Sequence, residues 1–409
     1  MGDVRMCGFE RRVSVAEALA RLEGVVTPLD AETVGLAEAG GRVATDEVVA
    51  QVAVPHFRRS MMDGYAVVAE STFSASDYRP APLTLVGEAY AGRPASLGRP
   101  LASGEAIRIT TGAPLPEGAD AVLMVEHTSR EGERVLATQP VAPSKHVAPV
   151  GEDIAEGDVV VRAGRRLRPQ DVGVLASVGV SSVTAHRRPV VRIVITGDEL
   201  LPPGSVPEGP RIVDSNSLVL DALARRDGAG LVDVRRLPDD PEAIAAALVE
   251  AGADVILVSG GSSVGPEDHA PRLVAELGEL VVHGVAMRPS SPAGFGTVGS
   301  ARVFLLPGNP VSCLCAYEFF AGPAIRVLGG GSMQWPHRVV TRPAASKLVS
   351  VLGRTDFMRV RLIDDEVVPL MTSGASVLSS TTQADGVAII DDGSEGYAPG
   401  EMVTVHLFD

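Results

Sequence analysis

Between residues 187 and 333 apolar runs of strand length alternate with helical segments, and this alternation constrains the fold more than any other feature of the chain. RRPVVRIVITGDEL reads as a buried strand ending in a polar turn, SNSLVLDALARR as the opening of a helix, GLVDVRRLPDD as a second strand and PEAIAAALVEA as a second helix. ADVILVSGG, DHAPRLVAELGEL, ARVFLLPGNP and VSCLCAYEFFAGPAIRVL continue the series. Strands and helices of these lengths in strict alternation predict a doubly wound parallel sheet. In such a sheet ligands settle beyond the carboxyl ends of the strands, so the turns that follow the strands are where chemistry is expected.

The flanking segments have a different texture. Ser14 with Glu17 three positions on is a capping-box pattern, and it predicts an amphipathic helix over 14–26. From 51 to about 149 short apolar runs such as PLTLVGEAYAG, EAIRITTGA and ADAVLMVEH are punctuated by Gly and Pro, which predicts a small β-rich module. Residues 157–182 add a strand, a turn and a helix and are expected to rejoin the first helix. After Trp335 the strands PHRVVTRPA, FMRVRLID, GVAIIDD and EMVTVHLF fit a small barrel. The expected fold is therefore multidomain, α/β and β. It comprises a discontinuous mixed domain (8–50 with 150–186), an inserted β-rich domain (51–149), a central α/β domain (187–333) and a C-terminal β-barrel (334–409).

Lys and Arg number 36 against 51 Asp and Glu, a net charge of −15. A field of that sign repels phosphates at long range, which argues against nucleic acid and anionic membranes as partners. An anionic substrate then requires a local basic pocket. Three cysteines, Cys7, Cys313 and Cys315, are too few for a disulfide framework and read as packed thiols in a reducing compartment. No apolar leader core opens the chain and no uninterrupted apolar stretch of 18 residues appears, so a cytoplasmic, soluble protein is expected.

Three strand-end turns carry candidate chemistry. In VFLLPGNPVSC, Asn309 is a good N-cap and Pro310 suits the first helical position, so the N–H groups of Val311 and Ser312, with the Ser312 hydroxyl, are expected to face an oxyanion; Pro307 precedes them. In VSGGSSVGPEDH, Gly260 and Gly261 let a ligand approach the backbone, Ser263 adds a hydroxyl, and Asp268 falls in the first turn of the next helix. In VITGDEL, Asp198 and Glu199 follow a buried strand. Carboxylates at adjacent strand ends are hard oxygen ligands for Mg²⁺, which typically completes its shell with water and substrate phosphate. Arg288, Arg354 and Arg359 are the candidate cations for the anions.

Six runs together resemble the MoeA and gephyrin C-terminal-domain family: SMMDGYAV (60–67), RITTGAPLPEGADAVLMVEHT (108–128), VITGDEL, VSGGSSVGPEDH, LPGNPVS, and GRTDFMRVRL with SGASVLSS. The resemblance covers nearly the whole chain in the family's order. It implies an elongated homodimer that consumes adenylyl-molybdopterin and molybdate, releases AMP with the help of a divalent ion, and leaves molybdenum on the dithiolene. It also implies dealings with the upstream adenylyltransferase and with recipient molybdoenzymes. By position, Glu199 and Asp268 fall where the family holds Mg²⁺, and Ser312, Arg359 and Ser379 near where it holds molybdate. Asp63 and Thr111 match functional positions of the small domain, which would reach the partner subunit's cleft, and Asp239 or Asp240 in LPDDP matches a further acidic position. Residues 288–296 read RPSSPAGFG where the family reads K-P-G-K-P-x-x-F-G, so Arg288 keeps the first cation and Ser291 loses the second. That loss keeps a non-catalytic molybdopterin-binding or scaffold protein in view as an alternative. A molybdopterin adenylyltransferase is a third reading, which the flanking modules oppose.

Overall fold

The computed structural model describes residues 12–261, 268–370 and 374–408. The chain forms two compact units, one of Met1–Glu32, Gly41–Thr45 and Thr184–Asp409, the other of Thr33–Gly40 and Asp46–Val183.

In the second unit a six-stranded sheet runs in the order Ala121–Met124, Gly64–Val67, Glu105–Ile109, Ala81–Ala89, Arg134–Ala137, Thr128–Glu131. Alternate side chains leave the sheet on opposite faces, and both faces are covered. Tyr65, Val67, Leu83 and Leu123 build one core, while Ala66, Ile107, Ile109 and Val122 build another. Gly64 is required by packing, because a Cβ there would lie 2.0 Å from the carbonyl oxygen of Leu123. That contact explains the glycine of the SMMDGYAV run.

The first unit holds the α/β domain and the barrel. Its strands are β1 (Val190–Thr196), β2 (Leu231–Leu237), β3 (Val255–Ser259), β4 (Glu279–His283), β5 (Gly294–Val298) and β6 (Ala301–Leu306). The sheet order is β2-β1-β3-β6-β5-β4. The first four of these are parallel, but β5 runs antiparallel to both neighbours. The expected all-parallel sheet is thus corrected to a mixed one. The run AGFGTV forms a strand that turns back into β6 through Gly299 and Ser300, a connection too short for a parallel crossover.

Helices cover both faces, as a doubly wound sheet requires. The helices are α1 (Val15–Glu23), α2 (Asn216–Arg226), α3 (Pro241–Val249), α4 (Ala270–Leu277) and α5 (Pro310–Leu328). Ile193, Ile195, Leu257 and Phe304 pack toward α1, α2 and α5 through Leu22, Leu220 and Phe320. Val194, Ile256, Val258 and Leu305 pack toward α3 and α4 through Ile244, Leu248, Leu273 and Val274. By length and composition α5 resembles a membrane span, yet 94% of it is buried inside the fold. It is a core helix, with a π-helical stretch at Tyr317–Ala321. At α1 half of the capping box forms: Ser14 Oγ accepts the Glu17 N–H at 3.1 Å, while the Glu17 carboxylate turns to Arg21.

Past α5 the chain forms β7 (Val339–Pro343), β8 (Thr355–Ile363), β9 (Glu366–Pro369), β10 (Gly386–Ile390) and β11 (Met402–Leu407). They pair in the order β9-β8-β10-β11-β7, and a bridge between Ala344 and Val367 joins the two ends. Closure around Leu348, Val360, Val367, Ile390 and Val405 makes this a barrel. The short strand Met287–Arg288 of the α/β domain adds to β8, which brings the two folds edge to edge.

Candidate active site

The carboxyl ends of β1, β3 and β6 open on one cavity of about 720 Å³. Glu199, Asp239, Asp268, Gly260, Gly261, Pro307, Asn309 and Pro310 all line it. Three turns far apart in sequence are thereby brought together. Glu199 is exposed and Asp268 half-buried. Asp268 lies just before α4, which starts at Ala270, rather than in its first turn, so its proximity to Glu199's cavity and not a helix-dipole role is what the geometry emphasises. Asp240 does not line the cavity. Its carboxylate caps α3 by accepting the N–H groups of Glu242 and Ala243, and its neighbour Asp239 takes the cavity position. Ser263 lies outside the described residues.

Gly260 is also required by packing. Its φ is +104°, and a Cβ would come within 2.3 Å of the Thr196 carbonyl oxygen. Packing of β3 against β1 therefore demands this glycine, whatever the ligand.

A second cavity of about 370 Å³ shares Pro292, Pro307 and Asn309 with the first. Arg288, Ser290, Ser291 and Ser312 line it from the α/β domain, and Asp356, Met358 and Arg359 from the barrel. Arg359 is 3% exposed. Burial chiefly, together with the positive charge of Arg288, pulls the Arg359 guanidinium below the usual arginine range. Two cations held near each other under these conditions favour an anion between them.

The helix terminus differs in detail from expectation. Asn309 and Pro310 do occupy the N-cap and first helical positions, but the Asn309 side chain makes no capping bond. Its Oδ1 accepts the Ser376 hydroxyl at 2.7 Å, and the Val311 N–H is taken by the Ala375 carbonyl at 2.9 Å. Ser290 Oγ donates to the Ser312 carbonyl, which holds the Ser312 turn against the Arg288 segment. Ser379 is exposed and does not line the pocket; the hydroxyl that Arg359 meets is that of buried Ser380. Arg354 is ion-paired with Asp356 at 3.0 Å and opens, with Arg12 and Arg288, on a further cavity beside Ser291.

Asp63 and Thr111 lie in the other unit and are joined there. Asp63 Oδ1 accepts the Thr111 backbone N–H at 2.7 Å and its hydroxyl at 3.2 Å, and both residues are exposed.

Asn216, Asp214 and Ser376 also line the cavity, and no motif in the sequence marks them. VDSNS reads as an ordinary helix-capping cluster, and only the fold reveals that Asp214 and Asn216 line the cavity. Asp214 is buried against Arg236 and the Ser217 N–H.

Family comparisons agree with this layout along the whole chain. The MoeA N-terminal region (domain I and II) matches residues 13–179, the "Probable molybdopterin binding domain" residues 192–327, and the MoeA C-terminal region (domain IV) residues 341–408. The chain belongs to the MoeA family. Molybdopterin molybdenumtransferase of Haemophilus influenzae is 32% identical over 400 residues, covering 95% of this chain and 96% of the relative. Molybdopterin molybdenumtransferase 2 of Mycobacterium tuberculosis is 35% identical over 386 residues, covering 91% and 94%. The crystal structure of the MoeA molybdopterin biosynthesis protein of Pyrococcus horikoshii superposes with a TM-score of 0.81 at 32% identity, covering 98% of this chain and all of that one. This MoeA-family chain is thereby tied in sequence and in fold to molybdenum cofactor biosynthesis.

Proposed function

We propose that this MoeA-family enzyme is a molybdopterin molybdenumtransferase, which inserts molybdate into adenylyl-molybdopterin and releases AMP. One observation carries the reading: a carboxylate-lined cavity and an arginine-lined pocket adjoin, sharing Pro307 and Asn309. Chemistry that joins a phosphoanhydride to a tetrahedral oxyanion needs these two environments side by side.

Mg²⁺ fits the first cavity. Among the described residues no group of three His, Cys, Asp or Glu side chains forms a complete metal shell. Two carboxylates with open coordination left for water and phosphate are the usual Mg²⁺ arrangement. Glu199 and Asp268 would hold the ion, with Asp239 nearby, and it would neutralise charge on the anhydride. Arg288, Arg359 and the Ser312 hydroxyl would hold molybdate beside the dithiolene sulfurs. Asn309, fixed by Ser376, orients the wall common to both ligands. Positioning and charge stabilisation supply the rate, with little proton transfer required. Asp63 and Thr111, held as a pair, are proposed as the small module's contribution to the same reaction. The reading includes a cytoplasmic homodimer.

Purified protein given adenylyl-molybdopterin, Mg²⁺ and molybdate is expected to release AMP. Glu199→Ala and Asp268→Ala should each lower that rate by roughly 100-fold or more, without a matching loss of molybdate affinity. Release no faster than in a protein-free control, with substrate binding intact, would overturn catalysis in favour of a molybdopterin-binding role. Formation of adenylyl-molybdopterin from ATP would assign the chain to the adenylyl-transfer step instead.

A further inference from the structure

Asn216 is the first residue of α2 and is 8% exposed. Its side chain reaches two of the three strand-end turns. Nδ2 donates to Ser259 Oγ at 2.9 Å and to the Gly308 carbonyl at 2.8 Å. A carbonyl oxygen can only accept, so the atom facing Gly308 is the nitrogen, and the orientation of the amide is fixed. Ser259 closes β3 immediately before Gly260 and Gly261. Gly308 immediately precedes Asn309, the wall residue common to both cavities. The turns are also joined directly, since the Gly260 N–H donates to the Leu306 carbonyl at 3.3 Å. The Ser259 hydroxyl continues the chain of contacts to Cys313 Sγ, 3.6 Å away in the first turn of α5. Burial pushes that thiol up to about 12, which keeps it a neutral hydrogen-bonding partner.

We propose that Asn216 is a positioning residue that sets the spacing between the carboxylate cavity and the arginine pocket. It ties the start of α2, the end of β3 and the turn after β6 at one point beneath both ligands. The two ligands must meet within a bond-forming distance, and a shift of about 1 Å in one turn against the other lowers turnover by roughly 100-fold even where each ligand still binds. This inference rests on the molybdenumtransferase reading, but its structural half does not.

Two measurements on Asn216→Asp and Asn216→Ala test it. Aspartate keeps the shape of the side chain and replaces the double donor by an acceptor facing the Gly308 carbonyl. Amide hydrogen exchange read by mass spectrometry is expected to quicken together in peptides covering 255–261 and 303–312, with the barrel peptide 355–363 unchanged. AMP release should fall roughly 10- to 100-fold in kcat, while the KM for molybdate stays within about twofold. Asn216→Asp should regain part of its rate as the pH falls, because a protonated carboxyl can again donate to Gly308. Should Asn216→Ala fail to fold, Ser259→Ala removes one arm and should give a smaller effect of the same kind. Wild-type exchange in both peptides of Asn216→Asp, or a rise in molybdate KM that accounts for all of the lost rate, overturns the proposal. Absence of AMP release from the wild type sinks the molybdenumtransferase reading alone, since the exchange result stands without turnover.

Discussion

Ser291 lines the arginine pocket at the position where the resembled pattern K-P-G-K-P carries its second lysine. Its Oγ is shielded from solvent and has no hydrogen-bond partner among the described residues. The pocket holds Arg288 and Arg359, so an oxyanion bound as proposed would meet two guanidinium groups. Ser291→Lys is expected to add a charge-assisted bond to the bound oxyanion, of about 1.5–3 kcal/mol. That corresponds to a molybdate KM about tenfold lower or more, with a steeper dependence on salt, and with kcat little changed. Steady-state kinetics at two ionic strengths reads both, and a molybdate KM unchanged in Ser291→Lys would show that position 291 does not face the anion. A second contrast separates the adjacent acids of LPDDP. Asp240 caps α3, so Asp240→Ala should cost about 1 kcal/mol in urea unfolding and leave turnover intact. Asp239→Ala should do the reverse. If both substitutions behaved alike, the division of labour read from the cavity would be wrong.

The individual elements were legible where pattern and punctuation agreed. The apolar runs of β1, β3 and β6, the Pro310 start of α5 and the Ser14 cap all follow from residues that leave the backbone few choices. The antiparallel strand β5 was missed because GFGTV is short and glycine-rich. Its glycines answer to neighbouring backbone, as at Gly296, where a Cβ would lie 2.1 Å from the Glu279 carbonyl oxygen. The segment DHAPRLVAELGEL runs three residues past the end of α4 at Leu277, since Gly278 breaks the helix and Glu279 already belongs to β4. Candidate ligands on strand-end turns could be named, but their neighbours could not. Arg359 is legible as a candidate cation, whereas the hydroxyl it meets, that of Ser380, is not singled out by SGASVLSS, because only the turn of the short helix distinguishes it from Ser379. The strand starts also carry a testable ion pair. Asp254 accepts both the Arg187 guanidinium and the Val190 N–H, linking the heads of β1 and β3. Burial raises its carboxyl, and these donors more than offset that, leaving it below the usual aspartate range. Its stabilisation is therefore present above the unfolded pKa near about 4 and fades as the pH falls through the lower folded value. Asp254→Asn should flatten the acid limb of a plot of unfolding midpoint against pH between about 5 and 3, and an unchanged limb would remove Asp254 from the account.

Across the first unit, a buried charge network joins the α/β domain to the barrel. Glu318 lies in the π-helical stretch of α5 and is 1% exposed. It accepts from Arg226 of α2, and its Oε2 is 3.2 Å from His337 at the start of the barrel. Asp227, equally enclosed, takes Arg226, Arg326 and the Tyr317 hydroxyl. Trp335 packs beside His337, 5.2 Å from Phe319 and 5.0 Å from His406 between ring centroids. None of this could be read from a single sequence, because Glu318 sits in an apolar helix and its partners are 92 and 19 residues away in chain positions that carry no motif. The network lies on the same helix whose first turn bears Ser312, so it connects the firmness of the domain junction to the arginine-lined pocket formed across that junction. Removing one member leaves the rest buried without their partner, a change that costs about 3–5 kcal/mol in comparable sites. Glu318→Gln should accordingly lower the unfolding midpoint by several degrees and separate the barrel transition from that of the α/β domain in calorimetry. Burial works to raise the Glu318 carboxyl, but His337 and Arg226 outweigh it and hold the group below the usual glutamate range. The wild-type network is then fully effective above about pH 5 and weakens as acid protonates Glu318, whereas Glu318→Gln has no carboxyl there to lose. Calorimetric scans at pH 7 and pH 4 should show the gap between the two proteins narrowing in acid. A gap that stays constant across that range would mean that the glutamate contributes through packing alone, and that the junction is held by the aromatic stack and not by charge.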